Sequence, residues 1–502
     1  MPCLIAAPSS GSGKTLLSLS LAALARQRGL QLQPFKVGPD YLDPQLLSRV
    51  SGLPCRNLDP LLCGEGWVER SFRWHGSRAD LALVEGVMGL FDGLGSSSRG
   101  SSAAVAAQLE LPVVLVVEAS RQAGSLAALV RGFRDHARAM TPRPVELAGV
   151  VLNRVGSERH RRLLSEALAG IGVPLLGVLP STPALELPSR HLGLHPPHEL
   201  DDLEARQAEW AALAEQHLAL DRLWPLLAPP AAPTERLDPI SWCLQQLPLT
   251  GEIPNSKPPA NSDPSTAGRE PLPIAVASDA AFHFRYPEAG ELLQSLGLQP
   301  IPWSPLADEA LPPGSRGVLL PGGYPELHAG QLAASQRSLS ALRNAARLGL
   351  PIAAECGGLL LLGQSLHDPL GVPHAMAGVL PFSAARGELS LGYRQATASA
   401  DGLLVRTGET HWGHEFHRWQ LQPLVGNRER LWQVDGWGVA SRVEGWTAPN
   451  VHASWIHLHW AGCPAIPSRL AAACGRAAPL PANAASSSPA NHAPRPPVSA
   501  GA

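Results

Sequence analysis

Two short stretches carry residues whose spacing suits chemistry. The first is Ala7-Pro8-Ser9-Ser10-Gly11-Ser12-Gly13-Lys14-Thr15, between an apolar strand pattern and an apolar helix pattern. That context is what a phosphate-binding loop requires. Backbone N–H groups of Gly11, Ser12 and Gly13 are expected to curl around phosphate oxygens, and the helix N-terminus adds partial positive charge. Lys14 is placed to bridge the β- and γ-phosphates of ATP, and the Thr15 hydroxyl to ligate Mg²⁺. Lys36 and Asp40 follow the next strand, in Phe35-Lys36-Val37-Gly38-Pro39-Asp40. In a parallel sheet they open on the same edge and can face the same phosphates and metal. Leu81-Ala82-Leu83-Val84-Glu85 is an apolar strand ending in a carboxylate suited to hold Mg²⁺ or its water, and Asp92 lies on the glycine-rich loop behind it.

The second stretch is Ile352-Ala353-Ala354-Glu355-Cys356-Gly357-Gly358-Leu359, a strand, a thiol, small residues and a helix. This predicts a nucleophile elbow with sulfur in place of oxygen. The helix N-terminus favours thiolate and offers N–H groups to an oxyanion. Leu319-Leu320-Pro321-Gly322-Gly323 ends another strand at that edge and offers a second donor. The base is sought in Trp455-Ile456-His457-Leu458-His459-Trp460, where His457 and His459 are read as sharing one strand face. His411, His414, His417, His452 and Cys463 raise the question of zinc, but His414-Glu415-Phe416-His417 lacks the spacing of a known ligand set.

Both sites need a strand edge. In the first half, apolar runs at Cys3–Ala7, Leu81–Val84, Pro112–Val117, Leu147–Leu152 and Leu175–Leu179 alternate with helical patterns at 16–28, 125–138 and 158–169. The second half repeats this with Ile274–Ala277, Gly317–Leu320 and Pro351–Ala354, and helices over 288–296 and 332–347. The expected fold class is therefore α/β with two doubly wound parallel sheets. Residues 1–227 form the phosphate-site domain, 228–272 a Pro/Ser-rich linker with a short ordered piece near 240–247, 273–475 the thiol domain, and 476–502 a disordered tail.

Composition excludes several classes. The 502 residues carry a formal charge of −2 with 45% apolar residues, which argues against nucleic acid or anionic membrane as main partner. Seven scattered cysteines without a CxxC pair read as reduced thiols. The amino terminus lacks the pattern of a secretory signal, and no apolar run reaches a membrane span, so a cytoplasmic protein is expected. Only three lysines occur (Lys14, Lys36 and Lys257), and two fall in the phosphate site. The eight tryptophans of the second half read as core, with a flat surface for a planar ligand as the alternative.

An ATP site joined to a thiol–histidine site suggests ammonia made from glutamine in one half and used in the other. The runs APSSGSGKT, FKVGPDYLDP, VEGVMGLFDG, PSRHLGL, LLPGGYPE, AAECGGLLLLG, GHEFHRW and WIHLHW occur in this order over both halves. In them the chain resembles the cobyrinic acid a,c-diamide synthase family of cobalamin biosynthesis. The resemblance implies a dethiobiotin-synthetase-like domain followed by a class I glutamine amidotransferase domain. It implies Mg-ATP-dependent amidation of the a and c carboxylates of a corrin, cobyrinate, through acyl phosphates, with L-glutamine or ammonia as nitrogen source, and leaves a homodimer open.

Carried onto matching positions, it makes Cys356 the nucleophile and His457 its partner, with His459 in reserve. His459 stands where the family usually has a Glu, so the group that orients the imidazole is open. Gly11, Ser12, Gly13, Lys14 and Thr15 become the phosphate cradle, and Lys36, Asp40, Glu85 and Asp92 the ATP, metal and acyl-phosphate residues. Asn153, at another strand end, is expected at the adenine; Ser189-Arg190-His191, His414 and His417 are expected at the corrin. Hydrogenobyrinate as substrate, a cobyric acid synthase-like amidotransferase, a partitioning-type ATPase and a zinc hydrolase are the competing readings.

Overall fold

Continuous apolar runs separated by helices bury both faces of a sheet, and the first half does so in the computed structural model. The structure describes residues 2–140, 143–181, 195–247, 270–422 and 430–481, with backbone alone at 189–190 and 193–194. Seven strands form the first sheet: β1 (Leu4–Ala6), β2 (Leu32–Val37), β3 (Arg56–Leu58), β4 (Leu81–Glu85), β5 (Val113–Glu118), β6 (Leu147–Val155) and β7 (Leu175–Pro180). All pairs are parallel, in the order β3-β2-β4-β1-β5-β6-β7. Neighbouring β2, β4 and β1 therefore bring Lys36, Glu85 and the phosphate loop out side by side, with Lys36 paired to Glu85 in register. The helix Lys14–Gln27 is buried over most of its length, which its Leu/Ala/Ser composition permits. It packs against the helix Leu203–His217.

A two-stranded ribbon, β8 (Ser189–Arg190) and β9 (Gly193–Leu194), closes the first half. The second sheet begins with β10 (Leu272–Ala277), β11 (Leu298–Trp303), β12 (Val318–Leu320) and β13 (Ile352–Glu355). It continues through β14 (Ser365–His367), β15 (Pro373–Ala375), β16 (Ser383–Ala398), β17 (Thr410–Gln422), β18 (Arg430–Gly436), β19 (Val439–Ala448) and β20 (Val451–Ser454). Strands β11-β10-β12-β13-β20 form a parallel block, as expected. Beyond β20 the sheet continues antiparallel through β19, β18 and β16, with β17 on β16. This extension departs from a repeat of the first half. Its long half-exposed strands alternate polar and apolar residues, unlike buried parallel strands.

The chain from 228 onward is more than a linker. Asp238 caps a helix over Pro239–Gln245, and its Ile240 and Cys243 are buried with Trp67 of the first half and Ile456 and Trp460 of the second. Residues 248–269 lie outside the described residues. Of the expected tail, Leu480 is buried and exchanges backbone hydrogen bonds with Gly314 and Ser315, while 482–502 lie outside the described residues. All seven cysteines are free. Among the described residues no helix is long and apolar enough to cross a membrane.

Candidate active site

At the phosphate loop, Gly13 has φ 109°, and a Cβ there would stand 2.2 Å from the Asn153 side-chain nitrogen. Only glycine fits that approach. Asn153 donates to Ser12 O at 3.0 Å, so it braces the loop from β6. Lys14 is buried and donates to Met88 O at 2.6 Å, which ties it to the loop after β4. Burial, then the charge of Lys36, lowers its pKa to about 8.

Thr15 donates to Glu85 Oε1 at 2.9 Å, and Lys36 reaches the same oxygen at 2.7 Å. Glu85 Oε2 is buried without a partner. Lys36 also pairs with Asp43 at 2.5 Å and lies 3.9 Å from Asp40. Burial disfavours the Lys36 charge, but Asp43, Glu85 and Asp40 together hold its pKa well above the usual value. Asp40 is pushed up by burial and by the Asp43 charge, with Lys36 opposing. Asp92 accepts from Gly89 N, which folds its loop back beside the site. Asp43 was readable in the Asp40–Pro44 run but not singled out; its carboxylate gives Lys36 its closest ion pair.

At the thiol site Cys356 has φ 46°, a strained value for a residue with a side chain, held by Cys356 N donating to Ser454 O at 2.7 Å. Gly357 opens the following helix, so its N–H lacks an intrahelical acceptor. A Cβ on Gly357 would stand 2.9 Å from Gly323 N, so the two loops abut at the thiol. A Cβ on Gly322 would meet His457 Cε1 at 2.5 Å and Cys356 Cβ at 3.5 Å, which puts both side chains around one glycine. His457 Nδ1 faces Glu355 Oε2 at 3.8 Å and has no hydrogen-bond partner. Burial lowers the His457 pKa, but the charges of Cys356 and Glu355 outweigh it and raise it to about 10.

The expectation that His457 and His459 share a strand face fails. Strand β20 stops at Ser454, and His457 instead bridges the backbone of His414. The ring of His459 instead lies 3.5 Å from Glu288 and packs against Tyr286. His459 is therefore not placed to serve Cys356. Glu288 and Glu291 bind Arg56 of the first half at 3.1 and 2.6 Å, so this histidine belongs to a buried network joining the halves.

The two sites meet in a cavity of about 470 Å³ between the halves. Ser10, Asp40 and Asp92 line it from the phosphate side and His457 from the thiol side. Tyr41, next to Asp40, stacks on Tyr286 and Phe284 and lies 5.2 Å from the His457 ring. One residue thus separates the acidic edge from the imidazole. His414 also lines the cavity; burial and the His457 charge lower its pKa to about 3. His417 does not reach it. It sits on the opposite face of β17, bonded to Glu415 at 2.8 Å and stacked on Trp455. The side chains of Ser189 and Arg190, and the whole of His191, lie outside the described residues. Six of the eight tryptophans are buried, Trp412 is half-buried, and Trp437 stands exposed on the cavity wall.

Fold and site together define a nucleotide-binding half joined to a glutamine amidotransferase half. Residues 3–194 match the CobQ/CobB/MinD/ParA nucleotide binding domain, and residues 273–464 the CobB/CobQ-like glutamine amidotransferase domain. The chain is 44% identical to a cobyrinate a,c-diamide synthase of Gloeobacter violaceus, over 92% of this chain and 94% of that one. It is 39% identical to one from Synechococcus, over 96% and 100% of the two chains. It is 42% identical to a hydrogenobyrinate a,c-diamide synthase of Streptomyces coelicolor, over 94% and 96%. The chain belongs to the cobyrinate and hydrogenobyrinate a,c-diamide synthase family.

Proposed function

We propose that this chain amidates the a and c carboxylates of cobyrinate, using ATP and ammonia released from glutamine. The observation that carries this is the single cavity onto which the phosphate-side residues Ser10, Asp40 and Asp92 and the thiol-side His457 all open.

At the thiol site, Cys356 sulfur attacks the glutamine amide carbon, and N–H groups of Gly357 and Gly323 receive the oxyanion. His457 gives its proton to the departing ammonia, and water then cleaves the glutamyl thioester with His457 as base. Glu355 orients the imidazole through Nδ1, the part that the residue at 459 does not fill here.

At the phosphate site, a corrin carboxylate oxygen attacks the γ-phosphorus of ATP, releasing ADP and leaving an acyl phosphate. Ammonia displaces phosphate from that carbonyl and forms the amide. Lys14 and the N–H groups of residues 11–15 neutralise the transferred phosphoryl group. The Thr15 hydroxyl, the unpartnered Glu85 oxygen and Asp40 offer an all-oxygen set suited to Mg²⁺. A Mg²⁺ ion held there would offset the phosphate charge. Lys36 keeps the carboxylates of Asp43 and Glu85 aligned, and Asn153 keeps the loop shaped.

The test is incubation of the full chain with ATP, Mg²⁺ and glutamine, and cobyrinate or hydrogenobyrinate, followed by mass spectrometry. Two carboxyl-to-amide conversions on cobyrinate are expected. No amide on either corrin overturns the reading, and turnover of hydrogenobyrinate alone moves it to the cobalt-free substrate.

A further inference from the structure

Leu391 and Tyr393 lie two residues apart on β16 and point to one face, and their register partners on β17, Phe416 and His414, share it. All four line the interdomain cavity. Met88 and Leu94 stand on the cavity wall contributed by the first half. Leu391 is 53% exposed and Met88 43%. Trp437, in the β18–β19 turn, is 69% exposed although a Cβ on Gly95 would touch its ring at 2.6 Å. The absence of a side chain at Gly95 thus lets the indole edge rest on the first half while most of the ring stays open.

Large exposed apolar side chains gathered on one cavity mark a ligand surface. Apolar walls face each other here, and the same cavity ends at Ser10, Asp40 and Asp92, where a carboxylate must be presented. That combination fits a flat ring with acid-bearing side chains and does not fit glutamine or a nucleotide. We propose that Trp437, Leu391 and Met88 form the platform for the face of the corrin macrocycle, so that its carboxylate rim reaches the phosphate loop. This rests on the amidation reading above and adds which surface holds the ring.

The test uses full-length Trp437→Ala, Leu391→Asp and Trp437→Phe, with KM measured separately for cobyrinate, ATP and glutamine. Trp437→Ala and Leu391→Asp should each raise the cobyrinate KM more than fivefold, with the ATP and glutamine KM values changing less. Trp437→Phe, which keeps a flat ring, should recover most of the loss. A cobyrinate KM raised fivefold or less in both variants overturns the platform, as does an equal rise for ATP. Wild type that turns over no corrin fails the amidation reading itself, whereas active wild type with unaffected variants fails the platform alone. Trp437 and Leu391 lie outside the buried core, and thermal unfolding of each variant checks that the fold is kept.

Discussion

His457 Nδ1 lies 3.8 Å from Glu355 Oε2, a carboxylate one residue before the nucleophile. The charge of Cys356, and after it that of Glu355, favours the imidazolium, and against the cost of burial they raise the His457 pKa to about 10. Raised above its unfolded value near 6.5, His457 adds stability that is complete below about 6.5 and is lost as pH rises through about 10. Glu355→Gln should move the alkaline limb of glutaminase kcat/KM to lower pH and cut the rate about tenfold or more. Glu355→Asp should restore part of both. A variant with lower rate but an unmoved alkaline limb would assign Glu355 a purely structural part.

Arg56 is a buried cation between Glu288 and Glu291, and it fastens the halves from within. Burial works against ionised Glu288, but His459 and Arg56 hold its pKa down to about 2. Arg56→Ala removes the cation bonded to both Glu288 and Glu291 and leaves buried Glu288 with His459 alone, which should destabilise the protein by about 3–5 kcal/mol. Denaturant unfolding at neutral pH measures this.

Gly13→Ala must displace Asn153, because the added carbon would stand 2.2 Å from its nitrogen, at a backbone angle that alanine rarely adopts. ATP affinity and amidation should fall by at least tenfold, with glutamine hydrolysis retained. Lys14→Ala should lose amidation with either glutamine or ammonia while still hydrolysing some glutamine. Product analysis with both nitrogen sources checks each variant.

Much of this was legible in the sequence because the chemistry sits at strand ends. Gly11–Thr15, Glu85 and Cys356 each follow a continuous apolar run, so the strand edge could be read together with the residue. What escaped depended on the tertiary fold. His457 and His459 look equivalent as neighbours two apart, and only the tertiary fold, with β20 ending at Ser454, gives them different carboxylates, Glu355 for one and Glu288 for the other. His414 and His417 look alike too, but β17 alternation puts only His414 on the cavity. The antiparallel extension that carries them has no continuous apolar run to announce it. The ordered piece expected near 240–247 is the helix Pro239–Gln245, but that its Ile240 and Cys243 pack between the two halves was not readable from its proline-rich surroundings.

The central claim is that nitrogen released at Cys356 is consumed at the phosphate site. Cys356→Ala tests it most directly, with corrin amide formation measured under ATP and Mg²⁺ with glutamine or with ammonium salt. The account predicts no amide from glutamine and amidation from ammonia within a few-fold of wild type. Loss of both activities in a folded Cys356→Ala protein, or continued use of glutamine, would contradict it.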